Sequence, residues 1–472
     1  MATQNTDRKL PMKVKVLYPL ANSAPTVQML LQMYFLVYFH TNVLGISAAA
    51  SGTIILIARI WDFINDPLMG VLVEKTPYKP GGKCRYWMKR AMLLVPIFMV
   101  LTYSAPNISN GLKIVWAAVT YLCLGMSSTA YGIPKDTLYP KLTTDRAERA
   151  KMNSYIQIFA NLLNALIPAV TMPLVGVLSG YGANTAFTKL AAIYALVYLL
   201  MAWAGTKGCE GYEIEDEEED KKESNTSASV MLKTLATNKT ALVILLMQVV
   251  KMLFSSIAGA ILVYFCTYNL GDVNVMSVTT SLSMIVGMIP VFFLVWFHKK
   301  FGNAGTGAIA SIWVSAVYLY MLITHVSSPM PYIVCDLVMC LGTTLVAAVL
   351  PQCLMDALDY GEWRTGRKDV AVTMSAYGIG TKIGLAFGGS VAAFVIGAIG
   401  FDPKAAVQPD NVLNAFFHLI VSGQLFVFVV FTFLFLYLAK LEKKLPEIRE
   451  EIAARKAAKE QTAAENTEVK TA

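Results

Sequence analysis

Arg59-Ile60-Trp61-Asp62-Phe63-Ile64-Asn65-Asp66-Pro67 lies inside an apolar run, 46–74, that is long enough to cross a bilayer. An arginine and two carboxylates at membrane depth are costly unless something there needs them. Asp62 and Asp66 are four residues apart, so one helical face carries both, with Asn65 beside them. Paired acids within reach of a small cation or a proton point to ion movement coupled to something else.

Eleven further apolar runs flank this one, giving candidate spans at about 16–41, 46–74, 86–106, 112–134, 152–178, 185–206, 239–268, 275–298, 305–325, 329–353, 370–399 and 411–440. Of the 472 residues 56% are hydrophobic and only 15% charged, whereas a soluble chain carries roughly a quarter charged residues. The mean hydropathy is +0.54. The fold class is therefore an all-α membrane protein of twelve transmembrane helices. Residues 1–15 are polar and basic, and the first apolar run keeps full spanning length, so it reads as a retained helix and not a signal peptide. The seven cysteines show neither disulfide nor metal spacing and read as small buried hydrophobes.

The net charge of +8 comes from basic loops and does not call for nucleic acid. Lys75, Lys79, Lys83, Arg85, Lys89 and Arg90 follow the second run. Lys135, Lys141, Arg146, Arg149 and Lys151 follow the fourth, Lys299 and Lys300 the eighth, and Arg364, Arg367 and Lys368 the tenth. The alternate loops His40 to Gly45 and Asn269 to Asn274 carry no Lys or Arg. Basic loops stay cytoplasmic, so both termini are expected there, in a multi-pass plasma (inner) membrane protein. The expected organisation is a cytoplasmic N-terminus 1–15, a six-helix bundle 16–206, an acidic cytoplasmic linker 207–238, a second six-helix bundle 239–440 and a polar cytoplasmic tail 441–472. Two halves joined by an inner linker fit a transporter whose halves rock about a central cavity. No GxSxG, HExxH or P-loop is present, and His40, His298, His325 and His418 are scattered, so neither an enzyme nor a metal centre is expected.

The motifs carry a family resemblance. Gly52-Thr53, Arg59 to Asp62, Asn65-Asp66-Pro67-Leu68-Met69-Gly70 and Gly82-Lys83-Cys84-Arg85-Tyr86-Trp87 resemble the glycoside–pentoside–hexuronide:cation symporters, a melibiose permease-like branch of the major facilitator superfamily. A second signature, Asp356-Ala357-Leu358-Asp359-Tyr360-Gly361-Glu362-Trp363-Arg364-Thr365-Gly366, is placed in the loop after the tenth span. Lys382-Ile383-Gly384-Leu385-Ala386-Phe387-Gly388-Gly389 follows in the eleventh. The similarity covers about residues 10 to 440.

The resemblance implies cation-coupled symport of a sugar, glycoside or uronide by alternating access, without a cofactor, by a monomer in the lipid bilayer. It implies a site for Na+, Li+ or H+ at Asp62 and Asp66, helped by Asn65 and Thr129. The sugar clamp of the melibiose type is missing, because Thr26, Gly132 and Gln157 stand at its carboxylate and arginine positions and Asp136 at its tryptophan. The substrate-binding candidates are Thr26, Gln28, Tyr34, Gly132, Asp136, Gln157, Tyr377 and Lys382. Lys382 either pairs with Asp62 or Asp66 when the ion is absent or meets the substrate; a lysine snorkelling to the interface is the plainer alternative. Lys135-Asp136 reads as an interfacial ion pair in preference to a holder for an anionic substrate. The gating candidates are Lys83, Arg85, Lys135, Asp356, Asp359, Glu362 and Arg364, with the basic residues after the second span expected to pair with the opposite half. The competing functions are a cation-coupled lipid or lysolipid carrier and a membrane sensor that has lost transport.

Overall fold

The computed structural model of the chain describes residues 10–77, 82–143, 145–180, 182, 185–213, 238–365, 370–405 and 407–455. Residues 1–9, the acidic stretch 214–237 of the expected linker and the tail from 456 lie outside the described residues. The described elements are helical: α1 (Met12–Tyr38), α2 (Ala48–Lys75), α3 (Lys83–Thr102), α4 (Asn110–Lys141), α5 (Arg146–Ser179), α6 (Ala186–Gly208), α7 (Lys239–Tyr264), α8 (Asn274–Val286), α9 (Ile289–Thr324), α10 (Pro329–Thr365), α11 (Val370–Ala398), α12 (Asp410–Ile420) and α13 (Ser422–Glu442). Helices satisfy their backbone polar groups internally, as a chain in lipid must. Large apolar side chains point outward along them, Phe292 being 79% exposed and Phe433 68%. Such surfaces in water would mark an aggregating protein; in a bilayer they are the solvent-facing surface.

Eight helical segments among the described residues are long and apolar enough to span: Asn110–Lys141, Lys151–Ser179, Ala186–Gly208, Lys239–Asn269, Ile289–Thr324, Pro329–Arg364, Ala376–Ala398 and Asp410–Glu442. The shortfall against the twelve expected has physical reasons. α2 carries Arg59, Asp62 and Asp66, α3 opens with Lys83, Arg85, Lys89 and Arg90, and α1 holds Asn22, Gln28, Gln32 and two prolines. α8 has only 13 residues. The expected spans 275–298 and 305–325 are divided differently: α9 runs through the boundary and changes direction at Gly302, whose φ of 73° and ψ of −177° are not helical. A left-handed φ suits glycine, which has no Cβ to clash. The restarted helix is capped by the Glu442 carboxylate, which accepts from Asn303 N at 2.6 Å and Ala304 N at 2.8 Å.

The chain forms two compact units. The first comprises Met1–Asp220, Ser256–Ser281 and Ala386–Phe417; the second comprises Lys221–Ser255, Leu282–Leu385 and His418–Ala472. In the first, α1 packs on α5 and α6, α3 on α4 and α6, and α2 on α4. One end of this unit is sealed by a π-helical turn, Phe39–Leu44, that continues α1. There Thr41 Oγ1 and the Tyr264 hydroxyl lie 2.7 Å apart in a buried hydrogen bond, and Asn42 Nδ2 donates to the Tyr268 hydroxyl at 2.8 Å. Tyr38 and Phe401 both set edges against the Tyr264 ring. In the second unit α9 packs on α10 and α13.

Candidate functional site

α2 begins at Ser47, whose hydroxyl accepts from Ala50 N at 3.2 Å, and its 3.6-residue period brings Arg59, Asp62, Asn65 and Asp66 toward α4. Arg59 Nη1 donates to Asp62 Oδ2 at 3.1 Å, and Nη2 donates to the Tyr121 hydroxyl of α4 at 3.0 Å. Asp62 leans on α4 where the helix is bare, since a Cβ at Gly125 would stand 3.3 Å from Asp62 Oδ1. Thr129 Oγ1 donates to Asp66 Oδ1 at 2.9 Å. The structure thus brings Asp62, Asp66 and Thr129 to the α2–α4 seam, with Asn65 beside Asp66 on α2. Asn65 Nδ2 is buried there without a hydrogen-bond partner. A half-turn of the amide presents its carbonyl oxygen to the same spot, because the two ends of an amide are interchangeable in shape.

With both carboxylates ionised, Arg59, Asp62 and Asp66 sum to one negative charge, which one monovalent cation would balance. The oxygens on offer are two carboxylates, a hydroxyl and an amide, a hard set suited to an alkali ion or a proton and not to thiophilic metals. Among the described residues no group of three or more His, Cys, Asp or Glu side chains could hold a metal ion.

The substrate candidates fall in both units. In the first, Gln28 is 4% exposed and its Oε1 has no hydrogen-bond partner, Thr26 and Tyr34 are half-buried, and Gln157 is exposed. Open space lies in front of Gly132. Lys135 Nζ lies 2.9 Å from Asp136 Oδ1 and also donates to Asn22 O at 3.4 Å, so the adjacent pair forms as an ion pair with Asp136 outward. In the second unit the Tyr377 hydroxyl donates to Gln248 Oε1 at 2.9 Å, and Lys382 is exposed on α11.

One gating expectation is corrected. Asp356 to Thr365 are helical and not a loop: α10 continues through them because their charges find partners beyond the apolar part. Arg449 Nη2 donates to Asp356 Oδ1 at 3.0 Å and its Nε to Asp359 Oδ2 at 2.9 Å. Arg85 is 1% exposed, its Nε donates to Thr206 O at 2.8 Å, and its Nη2 lies 3.1 Å from Glu210 Oε1. That bond holds the Glu210 carboxyl below its ordinary range. Glu362 is buried, Lys83 half-buried and Arg364 exposed.

Sequence reading passed over three groups. Glu148 on α5 bonds Lys15 of α1 at 2.5 Å, which depresses its carboxyl. Asp336 on α10 accepts from Ser283 Oγ at 2.7 Å, and Lys251 lies in the middle of α7. The last two were detectable as isolated charges within apolar runs.

Comparison with known proteins follows the same lines. The chain is 28% identical over 412 residues to the isoprimeverose transporter of Lactiplantibacillus pentosus, covering 86% of this chain and 84% of the relative. It is 24% identical over 460 residues to the glucuronide carrier protein homolog of Escherichia coli (strain K12), covering 96% and 98%. In three dimensions it resembles an inward-facing, unoccupied bacterial homolog of the human lysosomal transporter Spinster, with TM-score 0.62, 10% identity and coverage of 92% and 97%. It resembles a proton-dependent oligopeptide transporter equally, with TM-score 0.62, 14% identity and coverage of 92% and 99%. These structural likenesses show that the chain shares the all-α fold of these transporters. A family profile described as MFS/sugar transport protein matches residues 17–443. The chain is therefore a secondary transporter and not an enzyme, and it belongs to the MFS/sugar transport protein family.

Proposed function

We propose that the chain is a cation-coupled symporter that moves a sugar, glycoside or uronide across the inner membrane by alternating access. The proposal includes twelve spans in two six-helix halves and both termini in the cytoplasm. The observation that carries it is the α2–α4 cluster, in which Asp66 accepts from the Thr129 hydroxyl, Asp62 one turn earlier is held by Arg59, and the Asn65 amide between them is buried without a partner. The substrate class is supported by the relatives named isoprimeverose transporter and glucuronide carrier protein homolog.

In this reading Na+, Li+ or H+ is cargo held by Asp62, Asn65, Asp66 and Thr129. Neutralising the two acids removes their repulsion and stiffens the α2–α4 seam, which raises affinity for the second cargo. The coupling is reciprocal, so the sugar raises affinity for the ion. Conformational change is then restricted to the empty and doubly loaded carrier. The aromatic and amide seal at Tyr38, Thr41, Asn42, Tyr264 and Tyr268 serves as the gate on the outer side, given the topology expected from the basic loops.

The test is uptake into vesicles across a panel of neutral and acidic saccharides, with a sodium gradient, a proton gradient or neither imposed. Accumulation of one saccharide class above equilibrium under one gradient supports the reading. Equilibration without accumulation under every gradient contradicts cation coupling, and uptake of no saccharide contradicts the substrate class.

A further inference from the structure

α7 is built from Leu, Ile, Val, Met and Phe, yet Gln248, Lys251 and Ser255 interrupt it at spacing i, i+3 and i+7, which places all three on one face. Lys251 stands near the middle of the helix, about 18–20 Å from either end at 1.5 Å per residue. Its side chain is half-buried, while Ser255 on the same face is exposed. Gln248 is buried and fully used: its Nε2 donates to Thr381 Oγ1 at 2.9 Å and its Oε1 accepts from the Tyr377 hydroxyl at 2.9 Å. Lys251 is different, for no hydrogen bond or ion pair reaches it among the described residues.

An unpaired ammonium at the centre of a membrane helix lacks the counter-charge that normally offsets its loss of water. A position one turn from an ordered amide and a phenol, on a face that also carries the exposed Ser255, is the kind of place where a few polar groups orient a ligand. Lys135 does not supply this charge, since Asp136 already neutralises it. We infer that Lys251 is an anion-binding residue of the substrate site and that the transported saccharide is acidic, its carboxylate or sulfonate group pairing with the Lys251 ammonium. Gln248, held by Tyr377 and Thr381, fixes this side of α7 against α11 one helical turn away, and the exposed Ser255 offers a hydroxyl to the sugar ring. This inference rests on the reading of the chain as a saccharide carrier and narrows its substrate.

The experiment measures affinities of the purified full-length protein for methyl glucuronide, the corresponding 6-sulfonate and neutral methyl glucoside, with sodium present and at low pH. The readout is the ratio of acidic to neutral affinity within each variant, which general loosening of the fold leaves unchanged. The wild type is expected to favour one of the acids by about tenfold or more, as a charge-assisted bond does over a neutral one. Lys251→Gln and Lys251→Met should each bring that ratio close to one, and Lys251→Arg should keep most of it. Both removals take a desolvated charge out of an apolar helix, and the wild-type ratio is read without any variant. An unchanged ratio in Lys251→Gln, or a wild type that favours the neutral sugar, overturns the role of Lys251 while leaving the carrier reading intact. Binding of none of the three overturns both.

Discussion

Replacing Thr129 with valine removes one oxygen and keeps the shape of the side chain, so packing between α2 and α4 is preserved while the bond to Asp66 is lost. That bond is 2.9 Å long and ends on a carboxylate. Hydrogen bonds to charged groups contribute about 1.5–3 kcal/mol. At about 1.4 kcal/mol per tenfold, losing both the bond and the ligand oxygen should weaken a cation at Asp62 and Asp66 by roughly ten- to a hundredfold. Isothermal titration of sodium or lithium into the purified protein reads this directly and needs no knowledge of the sugar. Thr129→Ser keeps the hydroxyl and should stay within about threefold of the wild type by the same arithmetic. Equal affinity in Thr129→Val and wild type would refute the placement of the ion on the α2–α4 seam.

Three further outcomes follow from separate parts of the molecule. A Cβ at Gly205 would meet Ala21 Cβ and Leu17 O of α1, so Gly205→Leu should force α1 and α6 apart. It should destabilise the protein by at least the 1–3 kcal/mol typical of overpacking, seen as an earlier thermal transition; an unshifted transition would show that the helices are not in close contact there. The Glu148 carboxyl is depressed by its bond to Lys15, so its contribution to stability is present above the ordinary glutamate pKa of about 4.3 and fades as pH falls through its lower folded value. The gap between wild type and Glu148→Gln should therefore be constant near neutrality and close in acid, and a gap that widens in acid would reverse the assignment. Cysteines placed at Asn42 and Asp272 should label from outside intact cells, and one at Glu217, which lies outside the described residues, only after permeabilisation; the reverse pattern would invert the topology.

The candidate ion site was legible in the sequence because its logic is local. Asp62, Asn65 and Asp66 share a face through helix periodicity alone, and the family pattern supplied Thr129 as the facing hydroxyl. The Arg59 contact with Tyr121 was not legible, because its partner lies 62 residues away and only the packing of α2 on α4 brings them together. Charge misled at one place. Asp356, Asp359 and Glu362 were read as a loop because loops are polar, but a helix can leave the membrane and carry its acids to Arg449 of a following helical segment, 445–455. The Arg85 bond to the Thr206 carbonyl was not legible either, because its partner lies 121 residues away. Lys251 was overlooked because a single lysine barely changes the hydropathy of a run as apolar as 239–264, whereas its lack of a partner is visible only in the structure.

The central claim is that Asp66 couples the two cargoes, and accumulation of substrate in vesicles by Asp66→Asn tests it most directly. The substitution is nearly isosteric and removes one charge, so the protein should still assemble in the membrane and still equilibrate its substrate. Accumulation above equilibrium should be lost under both sodium and proton gradients. Undiminished accumulation by Asp66→Asn would contradict the account.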